Sequence, residues 1–502
     1  MHVQEIDRVP FKVATEGSWR QDKHAKHLQS RPLRAYTYFR WLLHLGEDAL
    51  AEEEPIKMPT LKPQKQAGNF EAQWDKHLAT KSGADKPRGN LVDCSVLADN
   101  TRNETTVFAL IHEPSRDETQ ATIFDTLNGM RTELQPLDHV RNSLFVRLQP
   151  GRAKTLYEKE WQPTEHRLRQ VRLQGVTVER AFLYDFLIAQ GEKARQKSIN
   201  AMRGSSHFNV MTKGFGEKQL RDFVETEVVP AMATWPVVVR TSDEITIGGM
   251  TSKPSASALR RMTTIRNLSS NPANPVVLHF LTSWAGGYIT EGELNKALDY
   301  LEAYLARLVL AGRPLSPLRA RIMDVMGKLD RDLDPENLRA ILETSNYPTD
   351  AEIRKVAPMK PMYTDLGAGA CLALLRGIES ELSGSGAMFF TLGKKQGEYT
   401  VEHVFPQKPD KWLPDLAKWK TTLHRMQQLQ HSIGNLAPVT VNHNSAVGNK
   451  TFAEKKKYPS TPGKAAPLKV NAKWRNATHW TDKHIETRGK ELVELALKHW
   501  SL

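Results

Sequence analysis

The sequence predicts a mixed α+β protein that is predominantly helical. Three observations carry that prediction. Helical periodicity dominates from about residue 155 to 385, and two strand-like runs follow Ser383-Gly-Ser-Gly386. The 502 residues, 39% hydrophobic and 25% charged, have near-average globular composition and length for about three domains. The natural division is 1–150, an N-terminal region with a polar linker; 151–385, a helical middle domain; and 386–502, a C-terminal domain with strands.

Composition excludes several classes. No apolar run approaches the roughly 20 residues of a membrane helix. The start, MHVQEIDRVPFKV, carries early acidic residues and no apolar segment with a cleavage site, so it does not read as a secretory signal. Cys94 and Cys371 lie far apart and cannot build a disulfide framework or a cysteine zinc cage, which fits a reducing cytoplasm. A formal charge of +13 favours a polyanionic partner such as nucleic acid, although a basic but otherwise ordinary enzyme has the same composition.

Taken in order, residues 50–90 are polar and rich in Pro, Gly and Lys, and read as a linker or a long surface excursion. A period-two apolar stretch, Val107 to Ile111, and the segment beginning Thr122-Ile-Phe-Asp-Thr-Leu-Asn128 read as strand, loop, helix. Helical patterns follow at 179–190, 218–235, 317–329 and 366–382. The clearest is 290–312. Thr290 and Glu293 make a capping box, Leu294, Leu298, Leu301, Leu305 and Leu308 recur at helical spacing, and Gly312 with Pro314 supplies a stop. Met388 to Leu392 and Glu398 to Phe405 read as strands, and a last helix spans about 482–500.

The chemistry concentrates in Thr400-Val-Glu402-His403-Val-Phe-Pro406-Gln407, then Gly434-Asn435-Leu436, then a segment holding Asn444, Asn449, Lys450, Phe452 and Lys455. Neighbouring strand side chains point to opposite faces, so Glu402 and His403 converge on one site only where the chain bends, and Pro406 supplies the exit. Glu402 and the Asn444 amide are hard oxygen donors suited to magnesium or manganese, with positions left for water and phosphate. A neutral His403 imidazole can take a proton from water as general base. Together these parts describe phosphodiester hydrolysis. A lone Glu-His pair is commonly structural, and an isolated Asn is commonly a turn or cap residue, so the ordered set carries the weight.

That ordered set resembles the HNH, or ββα-metal, nucleases, and within them the C-terminal nuclease domain of GmrSD-type modification-dependent restriction enzymes. The likeness runs through TVEHVFPQ, Trp412, a helical insert, GNL, Asn444, Asn449, Phe452, Lys455 and Tyr458, and the late Trp480, Asp482, Ile485, Arg488 and Trp500 match the closing helix. The resemblance implies a ββα-metal fold over roughly 385–502. In it His403 is the general base, Glu402 and Asn444 hold the metal, and Asn435 orients the base or stiffens the loop. It also implies that Lys455 grips phosphate, with Asn449 and Lys450 beside it.

Upstream, Ile123 to Asn142 resembles the segment that closes the ParB-like, nucleotide-using domain of the same systems, through Asn128, Asp138, Arg141 and Asn142. Arg131 replaces the usual glycine, and residues 1–121 hold neither the D-G-Q-Q-R motif of that domain nor a Walker A pattern. Two explanations stand. A partner subunit carries the D-G-Q-Q-R motif and binds the NTP, leaving this chain a partial ParB-like region; or the motif has degenerated and the nuclease needs no NTP.

Between Lys450 and Arg475, eight basic residues face one acidic residue. Beside a metal site they would contact phosphates of double-stranded DNA, and elsewhere they are a solvated lysine face. The expected protein is a cytoplasmic, metal-dependent endonuclease of an anti-phage, type IV restriction system. Its implied targets are modified cytosines, hydroxymethylated or glucosylated. The alternative is a nucleic-acid-binding or scaffold subunit with an inactive nuclease centre.

Overall fold

The structure, a computed structural model, describes residues 90–93, 108–111, 135–173, 177–191, 211–384, 398–457 and 468–502. The polar stretch up to residue 89, the segment holding Asn128 and the expected strand at 388–392 lie outside the described residues. Chain contacts divide the protein into two units, Met1–Arg116 and Asp117–Leu502.

In the first unit, β1 (Asn90–Asp93) pairs antiparallel with β2 (Phe108–Ile111), so the alternating run is a strand over 108–111. The second unit is mostly helical. It begins with α1 (Pro136–Phe145), α2 (Pro150–Leu156), α3 (Gln162–Gln170), α4 (Val178–Ala189), α5 (Glu217–Phe223) and α6 (Val229–Val238). The sequence expectation of one helix over 218–235 gives way to α5, a π-helical turn Val224–Val228, and α6. A second π-helical turn, Tyr157–Trp161, joins α2 to α3. Each turn is followed, two residues on, by a proline, Pro163 or Pro230. A proline offers no N–H to the carbonyl four residues back, and a widened turn absorbs that missing bond without ending the helix.

A short hairpin, β3 (Ile245–Ile247) and β4 (Met250–Ser252), precedes α7 (Ala256–Ser269), α8 (Asn274–Ala285), α9 (Glu291–Leu310), α10 (Leu318–Leu329), α11 (Pro335–Thr344) and α12 (Asp350–Val356). The capping box of α9 forms as its sequence predicts. Thr290 Oγ1 accepts from Glu293 N at 3.2 Å while Glu293 Oε2 accepts from Thr290 N at 2.7 Å. Helix α9 packs on α7 and α11, and its leucines are fully buried.

Helix α13 (Met362–Ser383) is longer than the predicted 366–382 and breaks at Gly367, whose φ of +78° favours a residue without Cβ. The break sets the first turn, with Tyr363, at its own angle. The C-terminal segment then runs β5 (Tyr399–His403), α14 (Leu413–Lys418), α15 (Leu423–Leu429), β6 (Leu436–Thr440), α16 (Val441–Val447), α17 (Phe452–Lys457), α18 (Ala472–Asn476) and α19 (Asp482–His499). Strands β5 and β6 are antiparallel, with Glu402 opposite Ala437 and His403 opposite Leu436.

Helix α19 ties this segment to the body. It packs along α13, and Leu492, Val493, Ala496, Leu497 and Trp500 join the same core as the body helices. A second, smaller core of Phe405, Trp412, Phe452, Trp474 and Trp480 lies within the C-terminal segment.

Candidate active site

Two strands and a helix carry the candidate residues. Strand β5 presents Glu402 and His403, and β6 pairs with it and runs straight into α16, which carries Asn444. Thr440 caps α16, accepting from His443 N at 3.3 Å, and α16 packs against β5. The sequence gives little warning of β6, because Leu436-Ala-Pro-Val-Thr440 has a proline at its centre. In a two-stranded sheet Pro438 is tolerated, since it needs no N–H towards an outer neighbour. Its carbonyl accepts from Asn471 Nδ2 at 2.8 Å.

The GNL triplet is the hinge of the site. A Cβ on Gly434 would lie 2.1 Å from the Ile485 carbonyl oxygen, so only glycine lets α19 approach this closely. Asn435 is fully buried and spans the turn after β5: its Oδ1 accepts from Phe405 N at 2.8 Å, and its Nδ2 donates to Phe405 O at 2.9 Å and Gln430 O at 2.8 Å. Trp480 Nε1 donates to the same Oδ1 at 3.1 Å. These bonds stiffen the 403–406 turn. Of the two roles implied for Asn435, this is the one its partners fill, and none of them is the His403 ring.

Arg488 on α19 is buried and gathers the carbonyls of Gly434 at 2.7 Å, Leu436 at 2.8 Å and Val470 at 3.0 Å. Burial pushes its pKa down to about 9. Carbonyl dipoles, with no carboxylate in hydrogen-bond contact, hold this cation.

Glu402 and His403 point to different neighbours, as adjacent strand residues must. The Lys455 ammonium, on α17, lies against Glu402 Oε1 and donates to His403 O at 2.8 Å. Lys455, for which the resemblance implies a phosphate contact, is 1% exposed and its charge is turned inward. Burial raises the Glu402 pKa, with Lys455 opposing, and lowers that of Lys455, with Glu402 opposing. Desolvation penalises both charged forms.

The His403 ring sits on the other side, also buried. Its Nε2 lies 3.1 Å from His431 Nδ1 and its Nδ1 lies 3.4 Å from Gln407 Nε2. The Tyr363 ring meets it edge-on at 4.5 Å between centroids. Burial first, then the charges of His431 and Lys455, push its pKa down to about 3, so the imidazole is neutral. Tyr363, His431 and Gln407 received no role from the sequence, and nothing in a lone Tyr or His at those positions signals one.

Asn444 is half-buried on α16, Asn449 is exposed, and Lys450 is half-buried with its carbonyl accepting from Trp412 Nε1 at 2.9 Å. The expected basic surface is thinner than the sequence suggests. Besides Lys455, Lys456 Nζ donates to Ala477 O, Lys469 Nζ to Leu382 O at 3.0 Å, Arg475 to Lys456 O at 3.2 Å, and Lys473 pairs with Glu491. Lys464 lies outside the described residues.

The ParB-like residues lie in the helical body. Asp138 and Arg141 on α1 belong to an ion-pair lattice with Glu165 and Arg169 on α3: Arg169 reaches Asp138 at 2.8 Å and Glu165 at 2.6 Å, and Arg141 reaches Asp138 at 3.1 Å and Glu165 at 3.2 Å. Asn142 is half-buried on the same helix. These contacts knit two helices together.

Among the described residues no cluster of three His, Cys, Asp or Glu side chains forms a metal cage, and no helix is long and apolar enough to cross a membrane. The donor chemistry at Glu402 nevertheless suits a hard cation. A buried carboxylate oxygen and the His403 carbonyl oxygen already converge on the Lys455 ammonium, which marks a place that demands positive charge. Residues 347–495 match the family model of the GmrSD restriction endonucleases, C-terminal domain. The match reaches back into the helical body and includes α12 and α13. No curated protein matches the chain.

Proposed function

We propose, for a chain whose residues 347–495 match the model of the GmrSD restriction endonucleases, C-terminal domain, that it is a metal-dependent DNA endonuclease of the ββα-metal, HNH type. One observation carries the reading: the β5–β6–α16 unit sets an acid and a neutral imidazole at consecutive positions on one strand and an amide on the helix packed against it. Glu402 and Asn444 are the side chains that would hold Mg2+ or Mn2+. When bound, such an ion offsets charge on the phosphoryl and leaving oxygens.

The protein's own residues do the rest. His403 is neutral and therefore able to take a proton from water. Its Nδ1 has the longer of the two ring contacts, so that nitrogen exchanges its Gln407 partner for water at least loss. An arriving phosphodiester anion favours the imidazolium and raises the basicity that burial has lowered. Asn435 keeps the turn behind His403 from yielding, and Lys455 keeps the Glu402 carboxylate compensated until substrate arrives. In this reading Asn449, Lys450 and exposed Lys457 add salt-sensitive phosphate contacts.

The substrate in this reading is double-stranded phage DNA with modified cytosines, cut in the cytoplasm as type IV restriction. The NTP, where used, is bound by a partner subunit bearing the D-G-Q-Q-R motif. A second reading, a DNA-binding subunit that does not cut, is favoured by the fact that Glu402 Oε1 and both His403 ring nitrogens have protein partners.

Cleavage of plasmid DNA with and without hydroxymethylcytosine, in Mg2+ and NTP and with the partner supplied, separates the two. His403→Ala is expected to lower the cleavage rate about 10²–10⁴-fold, the span of general-base catalysis. Equal cutting by both proteins removes His403 as base, and no cutting by either supports the DNA-binding subunit.

A further inference from the structure

The helical body reaches the candidate base through Tyr363. The first turn of α13, set off by the break at Gly367, places the Tyr363 ring edge-on to His403 at 4.5 Å and near parallel to His431, with 19° between planes and 6.0 Å between centroids. Tyr363 N donates to His431 O at 3.1 Å, so this turn and the loop ahead of GNL hold each other. His431 Nδ1 in turn meets His403 Nε2 at 3.1 Å, with the two imidazoles nearly perpendicular at 85°.

Three segments distant in sequence thus meet in one ring cluster around a buried imidazole. An imidazole on a strand end has two free torsions; the edge-on Tyr363 ring and the His431 contact at Nε2 leave it a single orientation, and with the Gln407 amide nitrogen donating to Nδ1 the ring proton sits on Nε2, facing His431 Nδ1. We propose that Tyr363 and His431 are positioning residues that fix the orientation and tautomer of His403, which makes the first turn of α13 part of the nuclease apparatus. The proposal rests on the nuclease reading for its kinetic consequence. Its geometric content stands apart from that reading.

The aromatic face and the δ-nitrogen position are the features at work, so conservative replacements that keep them separate positioning from folding. Tyr363→Phe keeps the ring and Tyr363→Ala removes it. His431→Asn keeps a polar atom near the δ position, and His431→Ala does not.

The test uses the full chain with 15N-labelled histidine, the His403 ring signals being assigned by their loss in His403→Ala. In Tyr363→Ala and His431→Ala the His403 ring nitrogen shifts are expected to move towards the average of free imidazole, with the melting temperature held within a few degrees. Tyr363→Phe and His431→Asn are expected to restore most of the wild-type shifts. On plasmid DNA with Mg2+, the Ala variants should lose about 10- to 100-fold in kcat with KM within about twofold, as a misplaced catalytic group does, and the conservative variants should recover most of it.

Unmoved His403 shifts in both Ala variants overturn the proposal. So does a loss of kcat that follows the melting temperature and is not recovered by Phe or Asn. Moved shifts together with unchanged cutting in His403→Ala uphold the positioning and instead remove His403 from the nuclease reading.

Discussion

The helical body and the C-terminal site both bury charge, and they do it in opposite ways. In the body, Asp138 and Glu165 are buried under Arg141 and Arg169, whose side chains remain 24% and 30% exposed. Water and salt reach the cations, and each acid has two of them, so no single contact is indispensable. At the site, Lys455 is the one close cation of Glu402 among the described residues, the lysine is 1% exposed, and its remaining bond goes to a backbone carbonyl. A closed pair of this kind seldom stabilises a fold against an apolar alternative of the same shape. The lattice in the body is a clamp between helices. The pair at the site keeps a carboxylate and its cation together in a buried place, which is what the proposed cation-dependent reaction would require.

Removing one cation from each region should break that symmetry of appearance. Lys455→Met leaves Glu402 buried without its partner and is expected to cost about 3–5 kcal/mol. Added Mn2+ or Mg2+ should recover part of the lost melting temperature, while EDTA should not. A melting temperature indifferent to the metal would mean that Glu402 is not one of its ligands.

A further buried carboxylate, Asp185, sharpens the contrast. Asp185 accepts from Trp235 Nε1 at 2.8 Å and Asn274 Nδ2 at 3.1 Å, and burial, opposed by those bonds, pushes its pKa up to about 7. The folded value lies above the unfolded one, so its contribution to stability is full below about pH 4 and is lost as pH rises through 7. Asp185→Asn should therefore gain on the wild type at pH 8 relative to pH 5, by about 1–3 kcal/mol. Thermal melts at both pH values check the difference, and parallel pH profiles would sink it.

The smallest effect belongs to the lattice. Arg141→Ala leaves Arg169 on both acids and should cost about 1 kcal/mol at low salt, less at high salt. A loss near that of Lys455→Met would show that the two regions bury charge alike after all.

Much of this molecule was legible in advance. The α9 capping box and leucine ladder, the strand at 399–403 and the final helix all follow from local periodicity and caps, whose signals lie within a few residues of each other. Strand β6 was not legible as a strand, because Pro438 argues against one and only its partner β5 makes the assignment. The two π-helical turns were hidden because helical periodicity does not mark one widened turn: 218–235 reads as a single helix straight through Pro230.

At the candidate site, motif order marked Glu402, His403, Asn435 and Asn444, but not the neighbours each would have. The resemblance set Lys455 apart from the other basic residues as a phosphate contact, but a run of lysines carries no record of which one turns inward. Tyr363 and His431 bore no mark.

What the sequence by itself determined are the residue types and the short-range elements: an acid beside an imidazole on a strand, a glycine and an asparagine about thirty residues on, and a final helix. These depend on backbone preferences and side-chain chemistry within a few turns of chain. The tertiary structure alone decided that Lys455 meets Glu402 across 53 positions, and that a tyrosine of the helical body lies against His403. Such meetings are set by how whole helices pack, where closeness in space owes nothing to closeness along the chain.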